Sequence, residues 1–261
     1  MEVIIIPSAR EGAHLAARIV AALLRARPSA VLGLPTGATA QPLYAELVRL
    51  HRDEGLSFAR ATTFNLDEYV GLPPEHPGSY HRYMDEALFA HVDLPATSRH
   101  LPEGMAPSVQ IPAACERYEA AIRAAGGIDL QVLGLGADGH IGFNEPSSSL
   151  ASRTRVKTLS AATARASGAD THVPLPRHVI TMGVATILDA HRCLLLAFGR
   201  GKAGAAARMV EGPVTALVPA SALQLHPRVT VILDDEAASQ LALAEYYRDV
   251  YRGKPDWQRE G

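Results

Sequence analysis

At 261 residues, 48% of them hydrophobic, the chain can bury a sizeable core and suits one large α/β domain better than two small ones. A formal charge of −2 excludes a surface built for nucleic acid or anionic membranes, which needs clustered positive charge, so any anionic ligand must be held locally. Cys115 and Cys193 offer neither a disulfide framework nor a metal-ligand spacing, and no apolar run reaches the roughly 18 to 20 residues of a membrane span; a reducing cytoplasm is the expected setting.

The first apolar run, Val3 to Ile6, is too short for a secretory signal and has no basic region before it, so it predicts a strand. An Ala/Leu/Arg pattern from about Gly12 to Arg27 predicts a helix, Val31 to Leu34 a second strand and Gln41 to Asp53 a second helix. A strand near Ala61 to Asn65, helices near Ser79 to His91 and Ile111 to Ala125, and a strand from Asp129 to Leu135 continue the rhythm. Ser147 to Leu175, rich in Ser, Ala and Thr, is the least regular part and has the length of either a flap or a long surface connection. A helix near Thr181 to Ala190, strands at Cys193 to Phe198 and Val229 to Leu233, and helices after Gly201 and Asp235 complete the chain. Strands alternating with helices imply an open, mainly parallel sheet with helices on both faces, a modified Rossmann-like architecture.

In such sheets ligands bind outside the carboxyl ends of the strands, so the loops there carry the chemistry. Gly134-Leu-Gly-Ala-Asp-Gly-His-Ile-Gly-Phe-Asn-Glu-Pro146 crowds Asp138, His140 and Glu145 into one Gly-punctuated loop, a pattern that fits either an ordinary turn or an acid–base site. A carboxylate beside a histidine fixes its tautomer and orientation. Leu34-Pro-Thr-Gly-Ala-Thr39 joins a strand to a helix, as an anion cradle assisted by Thr36 and Thr39 or as a plain connector. Phe198-Gly-Arg-Gly-Lys202 repeats the arrangement, with Lys202 either adding charge to an anion site or simply solvated. Asp67 and Glu68 lie just beyond another strand, where one carboxylate can serve as a base or both can be surface acids.

Taken together in order, these segments resemble the glucosamine-6-phosphate deaminase family, also called glucosamine-6-phosphate isomerases. Leu34-Pro-Thr-Gly, Thr63-Phe-Asn-Leu-Asp-Glu-Tyr-Val-Gly-Leu-Pro73, Glu75-His-Pro77 and Gly136-Ala-Asp-Gly-His-Ile-Gly-Phe-Asn-Glu-Pro146 carry the resemblance. Ser148-Ser-Leu-Ala-Ser-Arg-Thr-Arg-Val-Lys-Thr158, Met182-Gly-Val-Ala-Thr-Ile-Leu-Asp189 and Leu223-Gln-Leu-His-Pro227 extend it over most of the chain. The resemblance implies conversion of glucosamine 6-phosphate to fructose 6-phosphate and ammonia without metal or organic cofactor. Asp67 would move a proton between C2 and C1, and His140, with Asp138 and Glu145, would assist opening of the sugar ring. It assigns the substrate phosphate to Thr36, Gly37, Ala38, Thr39 and Lys202, and a mobile lid to about residues 155–176. Ser148, Arg155, Lys157 and Thr158 match the pattern by which some members bind N-acetylglucosamine 6-phosphate as an activator. A homo-oligomer, in some members a hexamer, is expected with it.

Two departures stand out. Ala38 replaces the second glycine of the more usual Thr-Gly-Gly-Thr, and around Ala166-Ser-Gly-Ala-Asp170 there is no arginine where the family commonly has one for the phosphate. Arg165 is near but out of register. The alternatives are a 6-phosphogluconolactonase, which shares the sheet and an Asp-Gly-His loop, and a non-catalytic sugar-phosphate sensor, for which the chain has no evident DNA-binding appendage.

Overall fold

The computed structural model describes residues 1–168 and 175–255. In chain order it runs β1 (Glu2–Ile6), α1 (Ala9–Ala26), β2 (Val31–Leu34), α2 (Gln41–Glu54), β3 (Thr62–Asn65), β4 (Asp67–Tyr69), α3 (Tyr80–Ala87), β5 (Arg99–His100), α4 (Ile111–Ala124) and β6 (Leu130–Gly134). Then come β7 (Arg155–Thr158), α5 (Ala161–Gly168), β8 (His178–Thr181), α6 (Val184–Leu188), β9 (Cys193–Ala197), α7 (Ala203–Val210), β10 (Val229–Asp234) and α8 (Ala244–Arg252).

Seven strands form a parallel sheet in the order β1-β10-β9-β6-β2-β3-β5. Its strands are short, and β1, β2, β9 and β10 are mostly apolar because both faces are covered. Side chains alternate across the sheet, so Leu32, Leu130, Val132, Leu194 and Leu196 pack under α1 and α2 against Ala16, Val20, Leu43 and Leu47. Their neighbours Val31, Leu133, Leu195, Val231 and Leu233 face Tyr118 and Ile122 of α4 and Ala205, Ala206 and Met209 of α7. A one-residue slip of any strand would exchange the two sets. The expected open parallel α/β sheet is therefore present. Among the described residues no helix is long and apolar enough to cross a membrane.

A second sheet, absent from the sequence reading, is antiparallel and has the order β4-β8-β7, with Asp67 opposite Thr181 and Thr181 opposite Arg155. Leu66 is the pivot between the sheets. Its N–H still donates to the Leu34 carbonyl of the large sheet, while its own carbonyl accepts from Met182 beyond β8. The helix expected from Thr181 accordingly starts later, at Val184, because Thr181 belongs to β8 and Gly183 is extended, with φ −71° and ψ 166°. Residues 147–175 are not simply irregular: 155–158 form β7 and 161–168 form α5. The rest of the expected lid includes 169–174, which lie outside the described residues. The helix expected after Asp235 begins only at Ala244.

Candidate active site

The loop leaving β6 folds back on itself through Gly136 N–H to His140 carbonyl and Gly139 N–H to Gly136 carbonyl bonds. A Cβ on Gly136 would stand 2.3 Å from the His140 ring, so only glycine leaves the imidazole its place. Gly139 turns the chain at φ +96°, a conformation L side chains rarely adopt. Within this turn Asp138 Oδ1 lies 2.6 Å from His140 Nδ1 and accepts the His140 backbone N–H at 3.1 Å. With Nδ1 held by the carboxylate, Nε2 is the nitrogen left for a ligand. Burial opposes ionisation of Asp138, but its hydrogen bonds and charge contact with His140 outweigh burial and hold the carboxyl below its ordinary range.

Glu145, at the far end of the loop, accepts Ser160 N–H at 3.0 Å and the Thr163 hydroxyl, so it joins the loop to the start of α5. Burial raises its pKa, but Thr163, Ser160 and the nearby His140 together bring it below the usual value. Hydrogen bonding thus links His140 to Asp138, whereas Glu145 reaches it through charge alone.

Asp67 opens β4 and is 5% exposed. Burial, with the neighbouring Glu68 charge added, pushes its pKa up to about 8. A Cβ on Gly142 would crowd Thr181 Oγ1 at 2.9 Å and lie 3.7 Å from Asp67 Oδ2, so a second glycine of the β6 loop packs against β4 and β8 beside the carboxyl. Glu68, the next residue, accepts from the backbone N–H groups of Tyr69, Tyr80 and His81, from the Ser79 hydroxyl and from His81 Nδ1, all between 2.7 and 3.1 Å. It anchors the first turn of α3. Tyr80 of that helix stacks on Phe143 of the β6 loop, with ring centroids 6.2 Å apart.

The loop Pro35–Thr39 leaves β2 beside these groups. Gly37 sits at φ +97°, its carbonyl accepting from Tyr83 Oη at 2.9 Å and from Ala40 N–H at 3.0 Å. The Tyr44 hydroxyl holds the Pro35 carbonyl, and the Tyr80 hydroxyl lies near the Thr36 side chain. Thr39 Cβ would lie 4.0 Å from a Cβ on Gly134, where β6 ends. Lys202 closes the turn after β9; burial lowers its pKa and the charge of Asp138 works against that shift. Among the described residues no cluster of His, Cys, Asp and Glu has the arrangement of a metal site.

The residues matched to an activator site are divided. Arg155 and Lys157 share one side of β7 and Thr158 lies on the other, as strand alternation requires. Ser148 is buried with its Oγ unpartnered. Arg155 donates to Asn144 Oδ1 at 2.8 Å and lines a cavity of about 510 Å³ with Arg123, Cys115, Glu116 and Glu119. Arg165 is exposed on α5, while part of the segment that lacks the expected arginine lies outside the described residues. Tyr44, Tyr80, Tyr83 and Asn144 are the residues sequence reasoning missed. The i,i+3 spacing of Tyr80 and Tyr83 places both on one side of α3, but nothing local in the sequence ties either to the Pro35–Thr39 loop.

A buried carboxyl, a carboxylate-held imidazole and a loop whose N–H groups at 36–39 have no acceptor among the described residues, gathered at the carboxyl ends of parallel strands, define an α/β protein with the residue set of an acid–base enzyme. A family profile described as glucosamine-6-phosphate isomerases/6-phosphogluconolactonase matches residues 8–232, and the chain belongs to that family. It is 51% identical over 261 residues to the glucosamine-6-phosphate deaminase of Arthrobacter sp. (strain FB24), covering 99% of each chain. To that of Streptomyces avermitilis it is 52% identical over 262 residues, again covering 99% of each. A solved structure described as a monomeric glucosamine-6-phosphate deaminase superposes with a TM-score of 0.89 at 44% identity, covering 92% of this chain and all of the other. The 6-phosphogluconolactonase of Trypanosoma brucei gives 0.74 at 21% identity over 92% of this chain and 98% of its own, a likeness of fold alone.

Proposed function

We propose that the chain converts glucosamine 6-phosphate and water to fructose 6-phosphate and ammonia. The observation that carries this reading is the Asp67 carboxyl, buried and without a hydrogen-bond donor among the described residues, facing the loop that holds the Asp138–His140 pair. His140 Nε2 transfers a proton between the anomeric hydroxyl and the ring oxygen, which opens the ring. Asp67 then takes the proton from C2 and returns one to C1, passing through an enolamine. The resulting C2 imine adds water and expels ammonia. Proton transfers and the addition of water account for every bond change, so no electron acceptor enters the balance. The substrate's C2 ammonium stabilises the ionised form of Asp67 as it binds, offsetting the burial that otherwise keeps the carboxyl protonated near neutrality.

The loop Thr36–Thr39 with Lys202 takes the phosphate, and the bonds of Glu145 to Ser160 and Thr163 hold the start of α5 beside the β6 loop. Relatives named deaminases at 51 and 52% identity, against 6-phosphogluconolactonase structures at 21%, favour this reading over lactone hydrolysis. One assay following ammonia and fructose 6-phosphate together tests it. Equal release of both supports the proposal, whereas lactone hydrolysis without ammonia, or tight sugar-phosphate binding without turnover, rejects it. Two free, buried cysteines are in keeping with work in the cytoplasm.

Regulation is a second reading, favoured by Arg155. This guanidinium is half-buried, has no carboxylate partner among the described residues, and touches the β6 loop through Asn144. A regulatory sugar phosphate such as N-acetylglucosamine 6-phosphate would bind there and bias that loop, in a homo-oligomer if the family's hexameric members are the guide. Kinetics and light scattering with and without N-acetylglucosamine 6-phosphate test both parts. Activation that Arg155→Ala removes supports the reading, and unchanged kinetics reject it.

A further inference from the structure

The Pro35–Thr39 loop is held from behind by tyrosines. Among the described residues no hydrogen bond uses the backbone N–H of Thr36, Gly37, Ala38 or Thr39, and α2 starts without a side-chain cap. The carbonyls behave differently. Pro35 and Gly37 present theirs to the hydroxyls of Tyr44 and Tyr83, and the Gly37 carbonyl also accepts the Ala40 N–H at 3.0 Å. A peptide unit turns as a rigid plane, so fixing a carbonyl on one side fixes the direction of the following N–H on the other. Gly37 needs such a restraint, since its φ of +97° is one of several a glycine adopts and nothing lies within 4 Å of where a Cβ would be.

We propose that Tyr83 is a positioning residue for phosphate recognition, its hydroxyl turning the Gly37–Ala38 peptide so that the loop amides point at the phosphate. This rests on the reading that the Thr36–Thr39 loop takes the phosphate. Tyr83 is well placed for a second reason. It shares α3 with Tyr80, whose hydroxyl lies near Thr36, and the first turn of α3 is anchored by Glu68, the residue next to Asp67. One helix therefore sets the span between the phosphate loop and the base. That span selects a sugar of fixed length between its phosphate and C2.

Tyr83→Phe removes one oxygen and keeps the ring that packs on the core beneath α1 and α2. The expected result is a rise of about 3- to 10-fold in KM for glucosamine 6-phosphate, the worth of one neutral hydrogen bond. The inhibition constant of inorganic phosphate rises by the same factor, while kcat stays within about twofold and the thermal midpoint is unchanged. Lys202→Ala is measured beside it. If Lys202→Ala weakens phosphate inhibition and Tyr83→Phe does not, the Tyr83 inference is overturned while the phosphate reading stands. If phosphate fails to compete with substrate in the unmodified protein, or Lys202→Ala leaves its inhibition unchanged, the phosphate reading falls and the inference with it. A Tyr83→Phe protein that loses kcat, with KM and phosphate inhibition unaltered, also overturns it.

Discussion

Asp67 and Glu68 are consecutive carboxylic acids on one three-residue strand, both almost fully buried, and their surroundings are opposite. Glu68 accepts five hydrogen bonds and organises the first turn of α3. Asp67 accepts none among the described residues, lies beside Gly142 of the β6 loop, and has its pKa pushed up to about 8 by burial and by Glu68. Strand alternation sends the two side chains to opposite faces, one toward donors and one toward the ligand space. The difference teaches that burial alone does not make a carboxylate reactive; withholding hydrogen-bond donors does.

The sharpest way to break this contrast is Asp67→Asn. Turnover should fall by about 10² to 10⁴-fold, the usual worth of a positioned acid–base group, and near-normal ammonia release would remove Asp67 from the role of base. The same variant should be the more stable protein at alkaline pH. The folded-state pKa of Asp67, about 8, lies above the ordinary value of 3.8, so the folded chain keeps a proton that the unfolded chain releases. Its contribution is full below the unfolded value and is lost as pH rises through about 8. Chemical denaturation at about pH 5 and about pH 9 should therefore show the advantage of the Asp67→Asn variant growing with pH, toward roughly 2 to 5 kcal/mol.

His140→Gln tests the second carboxylate pair. It should slow the cyclic substrate by about 10 to 100-fold and an open-chain analogue much less; equal losses on both would assign His140 a general positioning role. Glu68→Gln sharpens the contrast from the other side. It removes charged acceptors from α3 and should cost about 2 to 4 kcal/mol in urea denaturation, whereas an unchanged midpoint would show that Glu68 anchors nothing. The smallest effect is on titration. In the unmodified protein kcat/KM should rise with pH through about 8, and in Glu68→Gln that limb should move to lower pH because a neighbouring negative charge is gone. A limb that stays put would mean that the Glu68 charge does not reach Asp67.

The parallel sheet was legible because its strands are short apolar runs between helical patterns, and the Asp138–His140 pair was legible because its partners lie two residues apart. The small antiparallel sheet was not. Asp67–Tyr69 is too short to show a period, and Arg155–Thr158 alternates inside a stretch rich in Ser and Thr. Thr181 looked like the start of a helix because Val184–Leu188 follows so closely, yet its pairing with Asp67 is set by residues more than a hundred positions away. Tyr44 and Tyr83 escaped notice for the same reason. Their hydroxyls meet loop carbonyls through tertiary packing, which no local spacing encodes.

Among the described residues the edge strand β1 pairs only with β10, Glu2 lying opposite Thr230 and Ile6 opposite Asp234. During synthesis β1 leaves the ribosome well before its sole partner exists. Its apolar residues Val3, Ile4 and Ile5 must wait, shielded by α1 or by a chaperone, until nearly the whole chain has been made. Pairings so distant in sequence are slow to form, so the β1–β10 seam should gain amide protection late in refolding, after β2 has joined β3.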